Sequence, residues 1–119
     1  MAYQRTPTKI AIVGGAGAVG ASAAYALMMS GLASEIVLVD VNQRRAEGEA
    51  MDLMQGSPFV QPVTVRAGTY DDCRNAQIVV ITAGAAQKPG ETRLDLVKKN
   101  TGIFHDMIPQ IAQAAPEAI

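Results

Sequence analysis

Apolar positions along the chain follow two rhythms. Lys9 to Val13 is a short β-branched run, and Ile36-Val37-Leu38-Val39 within Glu35 to Asp40 is apolar at every position. Both read as strands, the second buried on both faces as in the centre of a parallel sheet. Ile78 to Thr82 has the same continuous character, while Val63 to Arg66 is shorter and more polar and fits an edge. Between these runs the spacing changes to three and four. Val19 to Ser30 is rich in Ala, Leu and Met and stops at Gly31. Gln43 to Gln55 carries a stripe of Ala46, Ala50, Leu53 and Met54, and Gly56-Ser57-Pro58 ends it.

The last helical stretch is the longest. Leu94, Val97, Thr101, Phe104, Ile108, Ile111 and Ala115 predict a single face, and Pro109 predicts a kink or break near His105 to Ile108. Strands alternating with helices imply crossover connections, a parallel sheet and the α/β class. No repeat, low-complexity tract or linker divides the chain. Pro116-Glu117-Ala118-Ile119 reads as a turn into a further strand, so the chain is expected to be a fragment whose sheet stops after four strands.

Ile10 to Ser34 contains no charged residue and follows Arg5 and Lys9, so a signal peptide or membrane span has to be weighed. Gly14, Gly15, Gly17, Gly20 and Gly31 argue against it, since each glycine costs a helix about 1 kcal/mol relative to alanine. Strand, turn and helix fit better. The 119 residues suffice for one core, and 49% hydrophobic against 18% charged residues excludes disorder. A net charge of −1 gives no footprint for nucleic acid or anionic lipid. A lone cysteine, Cys73, supports neither an internal disulfide nor a zinc cage, so no metal is expected and a reducing, cytoplasmic setting is favoured.

Gly15-Ala16-Gly17-Ala18-Val19-Gly20 spells G-x-G-x-x-G between a strand and a helix. Gly15 is expected to permit the tight turn, Gly17 the approach of a pyrophosphate, and Gly20 close packing of helix on strand. Free N–H groups near Ala18 and Val19 would then face the phosphates. A glycine turn without a ligand is the bland alternative. Asp40 shifts the balance, because it ends the second strand twenty residues past Gly20, where a carboxylate accepts both hydroxyls of an adenine ribose. Its charge repels a 2′-phosphate and favours NAD over NADP. Arg44 and Arg45 are either a solvated first helical turn or a seat for that phosphate; the former is preferred.

The segment from Thr82 to Arg93 follows the fourth strand at its carboxyl end, where open α/β sheets bind ligands. Pro89-Gly90 marks a turn, and Arg93 stands where loop becomes helix. Its core, Ala83-Gly84-Ala85-Ala86-Gln87-Lys88-Pro89-Gly90-Glu91-Thr92-Arg93-Leu94-Asp95-Leu96-Val97, is far longer than a chance motif. With the glycine loop, Ile36 to Asp40 and Tyr70-Asp71-Asp72-Cys73, it resembles the N-terminal part of the bacterial-type L-lactate dehydrogenases, in the lactate/malate dehydrogenase family, over essentially all of the chain.

The resemblance implies a Rossmann-type parallel sheet with flanking helices, residues 1–119 forming an incomplete dinucleotide-binding domain. It implies NAD as cofactor, with Val19, Asp40, Arg45, Tyr70, Gly84 and Ala85 joining the glycines Gly15, Gly17 and Gly20 along its site. Gln87 resembles the substrate-selecting position of a closing loop, where malate dehydrogenases carry an arginine for a second carboxylate. A neutral glutamine points to pyruvate and L-lactate. Arg93 resembles the loop arginine that polarises the substrate carbonyl, a catalytic and substrate-binding role. The family's general acid/base histidine, in a Gly-Glu-His-Gly-Asp segment, has no counterpart here, nor has the catalytic C-terminal domain. His105 sits mid-helix without that motif and reads as an exposed or capping histidine.

The resulting expectation is the NAD-binding portion of an L-lactate dehydrogenase of glycolysis and pyruvate fermentation. Its parent would be a homotetramer without nucleic-acid or membrane partners, and the fragment would bind NAD without turnover. Other readings stay open: a stand-alone nucleotide-binding module, an assembly fragment that self-associates through an open sheet edge, or a malate or branched 2-hydroxy acid dehydrogenase.

Overall fold

The computed structural model describes residues 6–119; Arg5, weighed above as a flanking charge, lies outside them. Four strands form one sheet: β1 (Lys9–Val13), β2 (Glu35–Val39), β3 (Thr64–Gly68) and β4 (Ile78–Ile81). All pairs are parallel, in the order β3-β2-β1-β4. The polar third strand does lie at an edge, beginning one residue later and ending two residues later than its hydrophobicity suggested. Three helices accompany the sheet: α1 (Ala18–Ser30), α2 (Gln43–Met54) and α3 (Arg93–Ala114). Short 3-10 turns occupy Ser57–Phe59 and Tyr70–Cys73.

Strand alternation divides the core. Ile10, Ile12, Ile36 and Leu38 join Ala24 and Met28 of α1 and Ala46 and Ala50 of α2 in one buried cluster. Their neighbours Ala11, Val13, Val37 and Val39 join Cys73, Met107 and Ile111 in the other. The two-residue period sends successive side chains to opposite faces, so the apolar runs demand helices on both sides. Gly31 ends α1 at φ 68°, a left-handed conformation that glycine adopts without cost. Among the described residues no helix is long and apolar enough to cross a membrane. Ile10 to Ser34 resolves into strand, glycine turn and helix.

The last helix has neither a break at Pro109 nor a continuous buried face. It runs from Arg93 to Ala114 without a break, Pro109 included. Proline forfeits the bond to the carbonyl four residues back, that of His105, but both residues lie on the exposed face, where water can serve that oxygen. Nor does the apolar stripe face the core along its length. Leu94, Val97, Phe104 and Ile108 are exposed, and burial is confined to Met107 and Ile111 within the helix and Ala115 just after it. Only the C-terminal half of α3 lies against the sheet's core. The last residue, Ile119, donates to the carbonyl of Gln77 and accepts from Val79 N–H, both at 2.9 Å, lying alongside β4.

Register positions the site. Val13 pairs with Val39 and with Ile81, and Val39 pairs with Gly68. Gly14, Asp40, Thr82 and Thr69 therefore leave the sheet side by side at its carboxyl edge. The chain runs outward from β1 to β2 to β3, then returns to β4 on the far side of β1. That reversal is the place where open α/β sheets leave a crevice.

Candidate dinucleotide site

The glycine turn is tied to the second strand. Gly14 and Gly15 N–H both donate to the Val39 carbonyl, at 2.7 and 3.2 Å, and Gly17 N–H donates back to Gly14 O at 3.0 Å. The left-handed residue of the turn is Gly14, at φ 92°. Gly15 is needed for another reason: a Cβ there would fall 2.8 Å from that of Leu38. Gly20 fills the role expected of it, since its Cβ would lie 2.3 Å from the carbonyl oxygen of Gly14. At Gly17 that same oxygen, at 3.3 Å, is the only atom a Cβ would meet, so the exposed side of this residue is open.

No side chain caps the start of α1, whose N-cap is Gly17 itself. Uncapped N–H groups at a helix start, backed by the helix dipole, form a phosphate seat. Asp40 stands beside it, half-buried. Its Oδ2 accepts Ala16 N–H at 3.0 Å and its Oδ1 accepts Asn42 N–H at 2.9 Å. Each carboxylate oxygen retains acceptor capacity beyond one such bond, enough for ribose hydroxyls.

Two adjoining cavities follow the strand ends. One, of about 210 Å³, is lined by residues that include Gly14, Gly17, Asp40, Tyr70, Thr82 and Gly84. The other, of about 280 Å³, is lined by Asp40, Val41, Gly68, Thr69 and Tyr70 among others. Asp40, Val41 and Tyr70 belong to both, so the two form one groove running from β4 across β1 to β3.

Of the residues singled out from sequence, Gly17, Asp40, Tyr70 and Gly84 meet in this groove. Gly15 and Gly20 are buried behind it. Val19 and Arg45 are exposed in the first turns of α1 and α2, outside both cavities. Ala85 is half-buried, its N–H held by Asn100 Oδ1 at 2.8 Å. Gln87 and Arg93 are exposed and do not line the groove. Gln87 Nε2 instead donates to the Glu91 carbonyl at 2.8 Å. Lys88 to Glu91 makes a turn closed by Glu91 N–H on Lys88 O at 3.1 Å, with Gly90 at φ 84°. Proline then glycine at the two central positions is the signature of a type II turn. Glu91 pairs with Lys99, tying the loop to α3, and Thr92 and Asp95 form a reciprocal capping box that fixes Arg93 as the first helical residue. His105 is exposed and lines neither cavity.

Three contributors escaped the sequence reading. Thr82 Oγ1 lies 3.2 Å from the Val13 carbonyl oxygen and 3.3 Å from that of Gly14, bracing the glycine turn from β4. Met107 reaches the groove from α3. Asn100 anchors the first residues of the loop. A hydroxyl ending an apolar strand was the available signal for Thr82; nothing local marks the other two.

A parallel sheet whose glycine turn, uncapped helix and acidic strand end converge at the point of reversed strand order defines a dinucleotide-binding α/β domain. The family model for the lactate/malate dehydrogenase NAD-binding domain matches residues 8–119, and the chain belongs to that family. It is 57% identical over all 119 residues to an L-lactate dehydrogenase of Clostridium botulinum strain 657, spanning 37% of that protein. It is 58% identical over 112 residues to L-lactate dehydrogenase 1 of Clostridium acetobutylicum, covering 94% of this chain and 36% of the relative. The crystal structure of a minor L-lactate dehydrogenase from Enterococcus mundtii, in a ligand-bound form, superposes with a TM-score of 0.88 at 46% identity. That match covers 97% of this chain and 36% of the other. The chain thus spans little more than a third of the relatives it matches, and its cofactor is NAD.

Proposed function

We propose that the chain is the coenzyme-binding part of an L-lactate dehydrogenase that interconverts pyruvate and L-lactate. The carrying observation is the groove at the strand ends, with Asp40 between its two cavities. A helix start takes the pyrophosphate and a neighbouring carboxylate takes the adenine ribose. The base then belongs beyond Asp40, in the cavity of Gly68, Thr69 and Tyr70. The nicotinamide half belongs on the other side, towards Thr82 and Gly84. Val19 and Arg45 flank these positions, and Ala85 continues the wall past Gly84. NAD, when bound, supplies the hydride acceptor.

Gln87 and Arg93 ride the loop that leaves the nicotinamide side. A neutral amide at Gln87 offers no countercharge to a second carboxylate, which supports pyruvate over a dicarboxylic acid. Arg93 is assigned the polarisation of the substrate carbonyl, a charge-stabilising task suited to a guanidinium at a loop's end. Acid/base chemistry falls to a histidine outside this chain. Loss of such a group costs about 10²–10⁴ in rate, so the chain by itself is assigned NAD binding without turnover. The whole protein is read as a cytoplasmic homotetramer that reoxidises NADH in fermentation; the lactate dehydrogenase relatives support the activity in that reading.

The test is a calorimetric titration of NAD and of NADP into the chain, paired with turnover of pyruvate and oxaloacetate by the whole protein. Saturable binding that prefers NAD, no turnover by the chain, and pyruvate preferred by the whole protein are expected. Preference for NADP would remove the role given to Asp40. Equal turnover of oxaloacetate would remove that given to Gln87.

A further inference from the structure

Tyr70 opens the second cavity, yet nothing in its own sequence position fixes it there. It is the first residue of a 3-10 turn, Tyr70–Cys73, that follows directly on Thr69 at the end of β3. One side chain, that of Asp72, makes most of the polar contacts that fasten the turn. Asp72 Oδ2 accepts the Thr69 N–H at 2.7 Å and its hydroxyl at 3.1 Å, while Thr69 accepts in return from the Asp72 backbone. Asp72 Oδ1 takes Arg66 Nη1 at 3.0 Å, and the Nε of the same guanidinium is held by Glu35 at 3.0 Å.

This chain of contacts crosses from β2 through β3 to the turn. Arg66 projects from β3 opposite Val37 and reaches both carboxylates at once, as a planar fork with several donors does. Gly68 makes room for the arrangement: a Cβ there would fall 2.7 Å from both the Cβ and the Oδ2 of Asp72. The Thr69 N–H and then the Arg66 guanidinium hold the Asp72 carboxyl below the usual range, so it is charged at neutral pH. Cys73, fully buried, plugs the turn into the core beneath. Asp72 itself lines neither groove cavity.

We propose that Asp72 is a positioning residue of the dinucleotide site, clamping the Tyr70–Cys73 turn so that Tyr70 forms the wall against which the adenine rests. The proposal deepens the function proposed above and rests on it. An exposed turn at a sheet edge has many conformations, and ordering it before the ligand arrives spares the entropy otherwise lost on binding. Arg66 and Glu35 make the clamp rigid by tying it to the sheet rather than to solvent.

A double-mutant cycle on NAD affinity separates positioning from bulk stability. Asp72→Asn is expected to weaken NAD binding by about three- to tenfold, the scale of one well-placed aromatic contact. In a Tyr70→Ala background the same change is expected to weaken binding less than twofold. Arg66→Met, which removes the brace and leaves Asp72 in place, is expected to follow the same pattern with a smaller effect. It also serves if Asp72→Asn does not fold. Additive losses in the two backgrounds, or a lowered melting temperature with unchanged affinity of the folded protein, would overturn the proposal. If Tyr70→Ala and Asp40→Ala both leave NAD affinity unchanged, it is the site reading that fails, and the positioning role falls with it.

Discussion

The carboxylate of Asp40 accepts the backbone N–H of Ala16 at 3.0 Å, so the residue assigned to the ribose also holds the glycine loop in shape. These two tasks are linked through one side chain. Asp40→Ala would strip a buried residue's N–H of its partner, which costs about 1–3 kcal/mol. It would also remove charge-assisted bonds to the ribose, worth about 1.5–3 kcal/mol, or roughly ten- to 150-fold in affinity. Both a lower melting temperature and weaker NAD binding are expected, with the NAD-to-NADP preference narrowed. Calorimetry with both nucleotides and a thermal melt read the two effects separately. An unchanged melting temperature would show the Ala16 bond to be energetically idle.

Glycines in this chain are not equivalent, and alanine substitution should sort them. At Gly20 the new methyl would press on the Gly14 carbonyl at 2.3 Å and on the Thr82 hydroxyl at 2.8 Å. Neither the turn nor the helix can yield without losing its bonds, so Gly20→Ala should cost about 1–3 kcal/mol as overpacking. Gly102 lies within α3, where a Cβ would meet nothing within 4 Å. There alanine should stabilise by about 1 kcal/mol through helix propensity. Chemical denaturation of the two variants side by side tests the contrast; equal effects would sink it.

Thr82 offers a more conservative probe of the same turn. Thr82→Val keeps the shape but removes the hydroxyl between the Val13 and Gly14 carbonyls. Both oxygens keep another donor, Thr82 N–H at 2.8 Å and Gly17 N–H at 3.0 Å respectively. The loss should therefore be only about 1 kcal/mol. NAD affinity should fall a few-fold as the turn loosens, and Thr82→Ser should restore it. Weak binding that serine fails to rescue would assign the effect to packing of the methyl group.

The legibility of the chain tracks the range of the forces involved. Lys9–Val13 and Glu35–Val39 were readable because a strand buried on both faces must be apolar throughout, and that requirement is local. Spacing alone was enough to propose Asp40 for the ribose, but its bond to Ala16 joins residues 24 apart, and only the register of β1 on β2 creates it. Register likewise underlies the left-handed conformation of Gly14, where the N–H groups of Gly14 and Gly15 both turn back onto Val39. The α3 stripe misled for a related reason. Periodicity reports an apolar face but not what stands opposite it, and along the first half of α3 no strand of this sheet does. Thr82 and Met107 belong to the groove through tertiary contact only, which no short window of sequence contains.

Acid should loosen the turns before it reaches the core. Asp72 is held below its usual range by Thr69 N–H and Arg66, Asp95 by Thr92 N–H and hydroxyl, and Glu91 by Lys99 and Lys88 N–H. For a carboxylate depressed in the folded state, the unfolded chain takes up the proton first as pH falls. Its stabilising contribution is therefore complete above the unfolded value of about 3.9–4.3, and is lost as pH drops through the lower folded value. Melting temperature should thus hold steady from pH 7 to about 5 and decline below about 4. Asp72→Asn, already without its charge, should show a shallower acid decline than the unmodified chain. Arg66→Met should flatten it in part, since Thr69 still holds the carboxylate. Thermal melts across this range decide the matter: parallel declines in all three proteins would move the acid sensitivity to Asp95 and Glu91, at the two ends of the loop's junction with α3.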